Sequence, residues 1–185
     1  MEERRCKRIY RPSSAFAGEL LARTEIVLCR FMARIDFHSN VANKLEYACR
    51  LTRKIWSTTP EGQAVRNIVM VGEKADLKKL DELLWTFSSV DFLPHCFIDE
   101  EAAAETPIVL SDRFDSPSLN HVPHADVLIH IGNGMPQDVP ALVARFPRIV
   151  EVVTVNEAER LAGRERYKAY RELGHELHNF DQSKS

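Results

Sequence analysis

The sequence predicts an α/β domain with an open, mostly parallel sheet covered by helices on both faces. Two patterns carry this prediction. Strand-like runs alternate with helical segments from residue 34 onward, and two of those runs, 67–71 and 126–131, are continuously apolar. Continuous apolar runs are typical of parallel strands buried on both faces. Roughly 150 residues in this alternation can enclose one two-sided core, so we expect a single three-layer α/β/α domain.

The first half of the domain is predicted to contain a strand, a helix and a buried strand. Residues 34–37 alternate between polar and apolar side chains, as a strand does. Ser39 or Asn40 can cap a helix over 41–56. The apolar side chains of that helix recur at helical spacing and define its buried face: Val41, Leu45, Ala48, Cys49, Thr52 and Ile55.

The second half continues the alternation. Pro117 and Pro123 mark 111–125 as a loop, and Gly174 is placed to end the last helix in a left-handed cap. The other predicted elements are helices over 76–86, 136–144 and 156–173, strands over 107–110, 126–131 and 149–153, and a turn at 132–134. Strands that alternate with helices in this way predict a Rossmann-like architecture.

The net charge is small but unevenly distributed. The chain has 185 residues, with 25 basic and 27 acidic side chains, which disfavours a protein that binds nucleic acid through bulk positive charge. Residues 1–31 carry seven basic and four acidic side chains, a net of +3, which leaves 18 basic and 23 acidic side chains, or −5, for 32–185. We expect a compact domain over 32–185, beginning near Met32, and an N-terminal extension over 1–31, which could reflect an upstream start codon.

Targeting signals and cysteine chemistry are not indicated. No apolar run approaches the ~18 residues that span a bilayer, and Glu19 and Arg23 interrupt the run that could serve as a signal peptide. The four cysteines, at positions 6, 29, 49 and 96, fit neither a zinc site nor a disulfide framework. We therefore expect free thiols, no membrane association and a cytoplasmic location.

The sequence shows no convincing catalytic or cofactor site. The segment 132–137 matches the first two glycines of a dinucleotide-binding loop, but Gln137 stands at the third glycine position and Pro136 removes a backbone donor. A tight turn is therefore the favoured interpretation. The histidines lack metal-ligand spacing, and neither Cys49 nor Cys96 has an obvious base partner. The expectation is a binding protein with no catalytic residues, no metal and no cofactor.

The last predicted helix carries a cationic stripe. The segment 160–171 has five basic side chains and one acidic side chain, Glu165, in an otherwise acidic domain. Helical geometry places Arg160, Arg164, Tyr167, Lys168 and Arg171 within about a 100° arc, and Ala158, Ala162, Ala169 and Leu173 on the opposite side, where they could lie flat on the sheet. Interpreted as a face of five cations, the stripe fits an acidic peptide or phosphates, whereas a merely solvated face is the alternative.

A second unusual region follows the helix over 76–86. Leu80, Leu84 and Phe87 define the inward face of that helix, and Trp85 points about 120° away from it. The large apolar side chains of Phe92, Leu93 and Pro94 then follow in a loop. This cluster is interpreted as a hydrophobic partner surface, and the alternative is a loop that folds back and buries Trp85 within the domain.

Four stretches carry a resemblance to a known family. They are 36–38 with 44–51 (DFH and KLEYACRL), 80–85 with 92–95 (LDELLW and FLPH), 106–110 (TPIVL), and 164–171 (RERYKAYR). In this order over about 150 residues they resemble the chi subunit of the bacterial DNA polymerase III holoenzyme, which is part of the clamp-loader assembly. The last octapeptide is the most specific of the four.

The resemblance implies a non-enzymatic replication adaptor. Family members bind the acidic C-terminal tail of single-stranded DNA-binding protein, which ends in Asp-Phe residues, and they bind the psi subunit, which connects them to the clamp loader. Such a protein would meet DNA only indirectly and would join the nucleoid through the replisome. The tail-binding positions that match are Arg164, Tyr167, Lys168 and Arg171, to which Arg160 is added from its place on the stripe, and the psi-facing set is Trp85, Phe92 and Pro94, with Leu93 added from the same cluster.

Two other classes of function stay open on the sequence. The first is a nucleotide-binding α/β enzyme, and the second is a module that binds single-stranded DNA directly through the cationic stripe.

Overall fold

The computed structural model describes residues 32–58, 66–88, 92–114 and 116–184. The predicted N-terminal extension over 1–31 lies outside the described residues, as do Cys6 and Cys29.

A seven-stranded sheet forms the centre of the domain, in the order β3-β4-β2-β5-β6-β1-β7. All of its pairings are parallel. The open parallel α/β prediction is therefore confirmed. The strands are β1 (Arg34–Val41), β2 (Ile68–Val71), β3 (His95–Phe97), β4 (Ile108–Ser111), β5 (Val127–His130), β6 (Arg148–Thr154) and β7 (Glu176–Asp181).

Helices cover both faces of this sheet. Buried side chains of α1 and α2 pack with Val150 and Val152 of β6 on one face. On the other face α4 and α5 pack with Ile149 and Val153 of the same strand. The helices are α1 (Lys44–Ser57), α2 (Lys74–Thr86), α3 (Ser116–Leu119), α4 (Val139–Arg145) and α5 (Glu157–Glu172), with short 3₁₀ helices at Glu101–Ala104 and Gln182–Lys184. No helix in the described ranges has the length and hydropathy of a membrane span.

The central strands are buried, as the continuously apolar runs predict. Every residue of β2, β4 and β5 is buried. Helix α5 begins after Asn156, whose side chain accepts hydrogen bonds from the backbone N–H groups of Ala158 and Glu159. Gly174 follows this helix with φ 76°, the left-handed conformation expected of its cap.

The first helix begins later than predicted. Strand β1 runs on to Val41, so Asn43 caps α1, and Ser39 and Asn40 belong to the strand. Asn40 has φ 59°, a left-handed conformation that asparagine tolerates better than most residues. The local sequence favoured a helix cap at residue 39 or 40 because both are residue types that cap helices well. The pairing of β1 with β6 and β7 instead extends the strand through these positions.

One α-helix and two strands were not predicted, nor were the two 3₁₀ helices. The short helix α3 lies within the predicted loop 111–125. Strand β3 has only three residues, and β7 has the mostly exposed sequence ELHNFD, so neither shows an apolar pattern. Both strands lie at the edges of the sheet, where little apolar periodicity is needed.

The packing face of α5 differs from the prediction. Ala158 is exposed and Ala162 and Ala169 are only half-buried, whereas Gly163, Arg166 and Tyr170 are buried. A Cβ atom at Gly163 would lie 2.9 Å from Val153 Cγ2, so the missing side chain lets the helix approach β6 closely. Arg166 can face the sheet because Glu151 of β6 neutralises it there.

Candidate partner-binding surfaces

A recess of about 260 Å³ opens between α5 and the β1–β7 edge of the sheet. Its apolar side consists of Phe37, Val153, Gly163 and Tyr167. Since Gly163 carries no side chain, the space beside Val153 stays open to the recess. The full lining is Phe37, Ser39, Asn40, Val153, Arg160, Gly163, Arg164, Tyr167 and Asn179.

Tyr167 lies between the buried and the cationic sides of α5. It is half-buried, and its ring packs edge-on against Phe37 with the centroids 5.2 Å apart. Phe37 is 5% exposed and also contacts Tyr170, with centroids 6.2 Å apart. These contacts hold the Tyr167 ring as one wall of the recess.

A polar wall faces the cations, and sequence reasoning missed it. Ser39 Oγ donates to Asn179 Oδ1 at 2.9 Å, and Asn40 Nδ2 donates to Asp181 Oδ1 at 2.8 Å. These residues meet because β7 pairs with β1. The sequence of β7 is mostly polar, so its pattern does not predict a strand. At Asn40, the feature that could have indicated this wall is that asparagine tolerates a positive φ.

The exposed cations of α5 form a line that begins at the recess. Arg160 and Arg164 line it, whereas Lys168 and Arg171 lie farther along the helix, outside the described lining. Arg160 pairs with Glu157 at 3.0 Å and Lys168 with Glu165 at 2.8 Å. Exposed pairs of this kind contribute only about 0.2–1 kcal/mol, so an incoming carboxylate can replace these partners at small cost.

The stripe has four exposed cations where the sequence analysis counted five. Arg166 is 1% exposed, and its Nε donates to Glu151 Oε2 at 2.8 Å. Its Nη1 donates to the carbonyl oxygens of Asn133 and Gly134 at 3.3 and 3.2 Å. Arg166 therefore anchors the 132–134 loop and takes no part in the exposed surface.

Glu151 is the centre of this buried network. It also accepts a hydrogen bond from Tyr170 Oη at 2.9 Å, and His130 Nδ1 lies 2.9 Å from its Oε2. Burial opposes ionisation of this carboxyl group, but the charges of Arg166 and His130 and the hydrogen bonds from His130 and Tyr170 outweigh it. Together they lower the pKa of Glu151 from 4.5 to about 2.

The loop at 132–134 already holds a carboxylate. The backbone N–H of Asn133 donates to Glu73 Oε1 at 2.7 Å, and Glu73 Oε2 lies 3.0 Å from where a Cβ of Gly132 would be. A phosphate placed here would meet this negative charge and would find that donor occupied. The geometry therefore favours the tight-turn interpretation of the loop.

The second predicted surface lies at the opposite edge of the sheet, beside β3. Trp85 is 56% exposed and Phe92 is 57% exposed, and their ring centroids lie 5.2 Å apart. Trp85 also packs on buried His95, with centroids 5.0 Å apart. The loop thus contacts Trp85 without burying it, and Pro94 is half-buried beside the pair.

Leu93 does not belong to this exposed surface. Its side chain is 1% exposed and lies in the core cluster with Leu80 and Leu84. The sequence placed it with its neighbours because 92–94 lacks periodicity, but the side chains of this loop differ in burial. Phe92 faces solvent, whereas Leu93 faces the core.

The described cysteines are poorly suited to nucleophilic chemistry. Cys49 and Cys96 are buried free thiols. Burial is the largest effect on both, and it raises the pKa of Cys49 to about 12 and the pKa of Cys96 above its ordinary value. Among the described residues, no group of three or more His, Cys, Asp or Glu side chains is arranged to hold a metal ion.

Comparisons with known proteins agree on one family. Residues 32–178 match the family described as DNA polymerase III chi subunit, HolC. The chain is 31% identical over 150 residues to the DNA polymerase III subunit chi of Pseudomonas aeruginosa, covering 79% of this chain and 94% of that protein. It is 29% identical over 132 residues to the subunit chi of Haemophilus influenzae, covering 71% and 83%. Identity to the Escherichia coli subunit chi is 24% over 132 residues, covering 71% and 81%.

Proposed function

Since this chain belongs to the DNA polymerase III chi subunit family, we propose that it joins single-stranded DNA-binding protein to the clamp loader. As a chi subunit, it is a non-catalytic accessory subunit in DNA replication. In our proposal, the recess and cations of α5 bind the acidic C-terminal tail of single-stranded DNA-binding protein. The exposed surface around Trp85 binds the psi subunit. Through the α5 surface the protein then meets DNA only by way of the tail.

The observation that carries the tail proposal is the recess beside Tyr167, which has an apolar floor and a cationic rim. A terminal Phe of the tail fits against Phe37 and Tyr167, and burying such a side chain is worth about 1.5–3 kcal/mol. The tail carboxylates then pair with Arg160, Arg164, Lys168 and Arg171. Each exposed pair adds about 0.2–1 kcal/mol, and the sum corresponds to reversible binding of micromolar strength.

The two proposed surfaces lie at opposite edges of the sheet. The recess borders β1 and β7, and Trp85 packs on His95 of β3, which ends the sheet on the other side. Two partners bound at these surfaces would not compete for the same residues. This arrangement supports an adaptor that holds both partners at once.

Substitution of Arg164 and Lys168 tests the tail site. The double substitution Arg164→Ala and Lys168→Ala should weaken binding of a tail peptide about tenfold, since two ion pairs are lost. Isothermal titration calorimetry measures the change. Lys78→Ala with Lys79→Ala, which removes two exposed cations of α2, is the matched control and should leave the affinity unchanged. An unchanged affinity in the double variant would reject the site.

Substitution of Trp85 tests the psi surface. Trp85→Ala should abolish co-purification of the psi subunit while the thermal unfolding midpoint stays close to that of the wild type, because the indole is more than half exposed. Leu161→Ala removes another exposed apolar side chain, on α5, and should keep psi bound. Retained co-purification with the Trp85 variant would remove this residue from the interface.

The proposal extends to the organisation of the chain. The match to the family begins at residue 32, which supports a chi-like domain over 32–185 and an N-terminal extension over 1–31. The proposed place of action is the bacterial cytoplasm, at the nucleoid, which the protein reaches through the replisome.

A further inference from the structure

A second cationic surface lies on α1, and neither the tail site nor the psi surface includes it. A recess of about 330 Å³ is lined by Arg50, Arg53, Lys54, Ser57 and Phe87. The four α1 residues are exposed, and Phe87, the C-cap of α2, is half-buried beside them. The surface therefore combines three cations of one helix with one aromatic ring.

The charge of this α1 surface is a local excess. Residues 50–57 contain three basic side chains and no acidic one, although residues 32–185 carry 18 basic and 23 acidic side chains. Compensation of the helix dipole accounts for a cation in the last turn, which is Lys54. Dipole compensation does not account for Arg50, which lies about one turn earlier. The Arg50 guanidinium lies 5.8 Å from the centroid of the Tyr47 ring.

The α1 surface is separated from the tail site by the sheet. Helix α1 packs on the face that presents Val150 and Val152, and α5 packs on the face that presents Ile149 and Val153. A ligand on α1 therefore cannot use the recess beside Tyr167. The two cationic surfaces can be altered independently.

We propose that the α1 surface binds single-stranded nucleic acid, with phosphates on Arg50, Arg53 and Lys54 and a base against Phe87. Residues three and four apart on a helix lie about 5–6 Å apart, so their cations can follow a backbone that carries one charge per nucleotide. An aromatic ring beside such cations is the usual platform for an unpaired base. This inference does not depend on the proposed tail or psi binding.

The composition of the α1 surface favours nucleic acid over an acidic peptide. The recess on α5 has neutral side-chain groups, Ser39, Asn40 and Asn179, beside its cations, which suits a peptide backbone. Among the residues that the structure describes, Ser57 is the one neutral polar side chain that lines the α1 recess, and its hydroxyl donates to the Arg53 carbonyl at 2.7 Å. The described lining of the α1 recess thus has charge and an aromatic face but fewer neutral polar groups than that of the α5 recess.

Fluorescence anisotropy of the full chain with a labelled oligothymidylate tests the proposal. Arg50→Ala with Lys54→Ala should weaken binding about tenfold at low salt. It should also reduce the slope of log K against log salt by about 1.4, as expected for two lost phosphate contacts on a single strand. Phe87→Leu keeps an apolar side chain against the core and should weaken binding several-fold, whereas Phe87→Tyr should retain it.

The matched control is Arg164→Ala with Lys168→Ala, which removes the same charge from α5 and should leave oligothymidylate binding unchanged. Four results would overturn the proposal: no binding by the wild type, no loss in the α1 variant, an equal loss in the α5 variant, or tighter binding of an oligoglutamate than of the oligothymidylate at the α1 surface. The tail-peptide affinity of the α1 variant should equal that of the wild type, so the two proposals can fail separately.

Discussion

At the scale of single residues, Arg164 and Arg166 lie two positions apart on α5 but differ in burial and in role. Arg164 is exposed beside the recess, and Arg166 is buried against Glu151. A buried ion pair contributes little net stability, but removing one partner leaves an uncompensated charge in the core. We therefore expect a single substitution at Glu151 to have a large effect on the free energy of unfolding.

Glu151→Gln should reduce the free energy of unfolding by about 3–5 kcal/mol, because it leaves Arg166 buried without its counter-charge. Urea denaturation at neutral pH measures this loss. Glu157→Gln, which removes the exposed partner of Arg160, should cost less than about 0.5 kcal/mol. Equal losses in the two variants would contradict the assigned role of Glu151.

The same carboxyl group predicts an acid dependence. Its folded-state pKa of about 2 lies below the ordinary 4.5, so its contribution is complete above pH 4.5 and is lost as the pH falls toward 2. The wild type should therefore lose stability more steeply than Glu151→Gln over this window. Denaturation curves at a series of pH values measure the two slopes, and parallel slopes would show that Glu151 is not the titrating group.

At the scale of elements, the close approach of α5 to β6 shapes the recess that we propose as the tail site. Gly163 lies in contact with Val153, and both line the recess. A larger residue at position 163 would move the helix outward or fill the space that a tail side chain needs. The helix therefore carries a residue of poor helical propensity where packing requires a small one, and the proposed tail binding requires the same.

Gly163→Ala should lower the free energy of unfolding by about 1 kcal/mol, because overpacking against Val153 outweighs a gain in helical propensity of about 1 kcal/mol. Val153→Ala should then cost less in the Gly163→Ala background than in the wild type, since it removes the clash. Gly134→Ala is the control, as no atom lies within 4 Å of a Cβ there. Additive effects at positions 163 and 153 would contradict the proposed contact.

At the scale of the whole molecule, an acidic domain presents two groups of exposed cations on opposite faces of its sheet. Arg160 and Arg164 of α5 border the proposed tail recess and the α1 cations border Phe87, with the sheet between them. Excess negative charge elsewhere repels phosphate from the remainder of the surface. The near-zero net charge thus fits a protein that is selective for acidic partners and not drawn to every polyanion.

Binding of the tail should weaken as salt rises but should not vanish. Screening at about 1 M salt, where the Debye length is about 3 Å, removes most of the ion-pair contribution, and the buried Phe anchor remains. Calorimetric titration at increasing salt measures this. A salt-independent affinity would exclude a contribution from the cations, and complete loss at high salt would exclude the apolar anchor.

The sequence by itself determined the order of the main strands and helices, the buried central strands and the cationic line on α5, whereas it left open whether Trp85 is exposed. These properties follow from periodicity within one segment, which side chains adjacent in the chain decide. Tertiary structure alone decided that Arg166 and Leu93 are buried, that Gly163 faces the sheet in place of the alanines, and that Ser39, Asn40 and Asn179 form one wall. Each of those outcomes depends on a residue far away in the chain, such as Glu151 beneath Arg166 or β7 beside β1, and local patterns carry no information about a partner that only folding brings into contact.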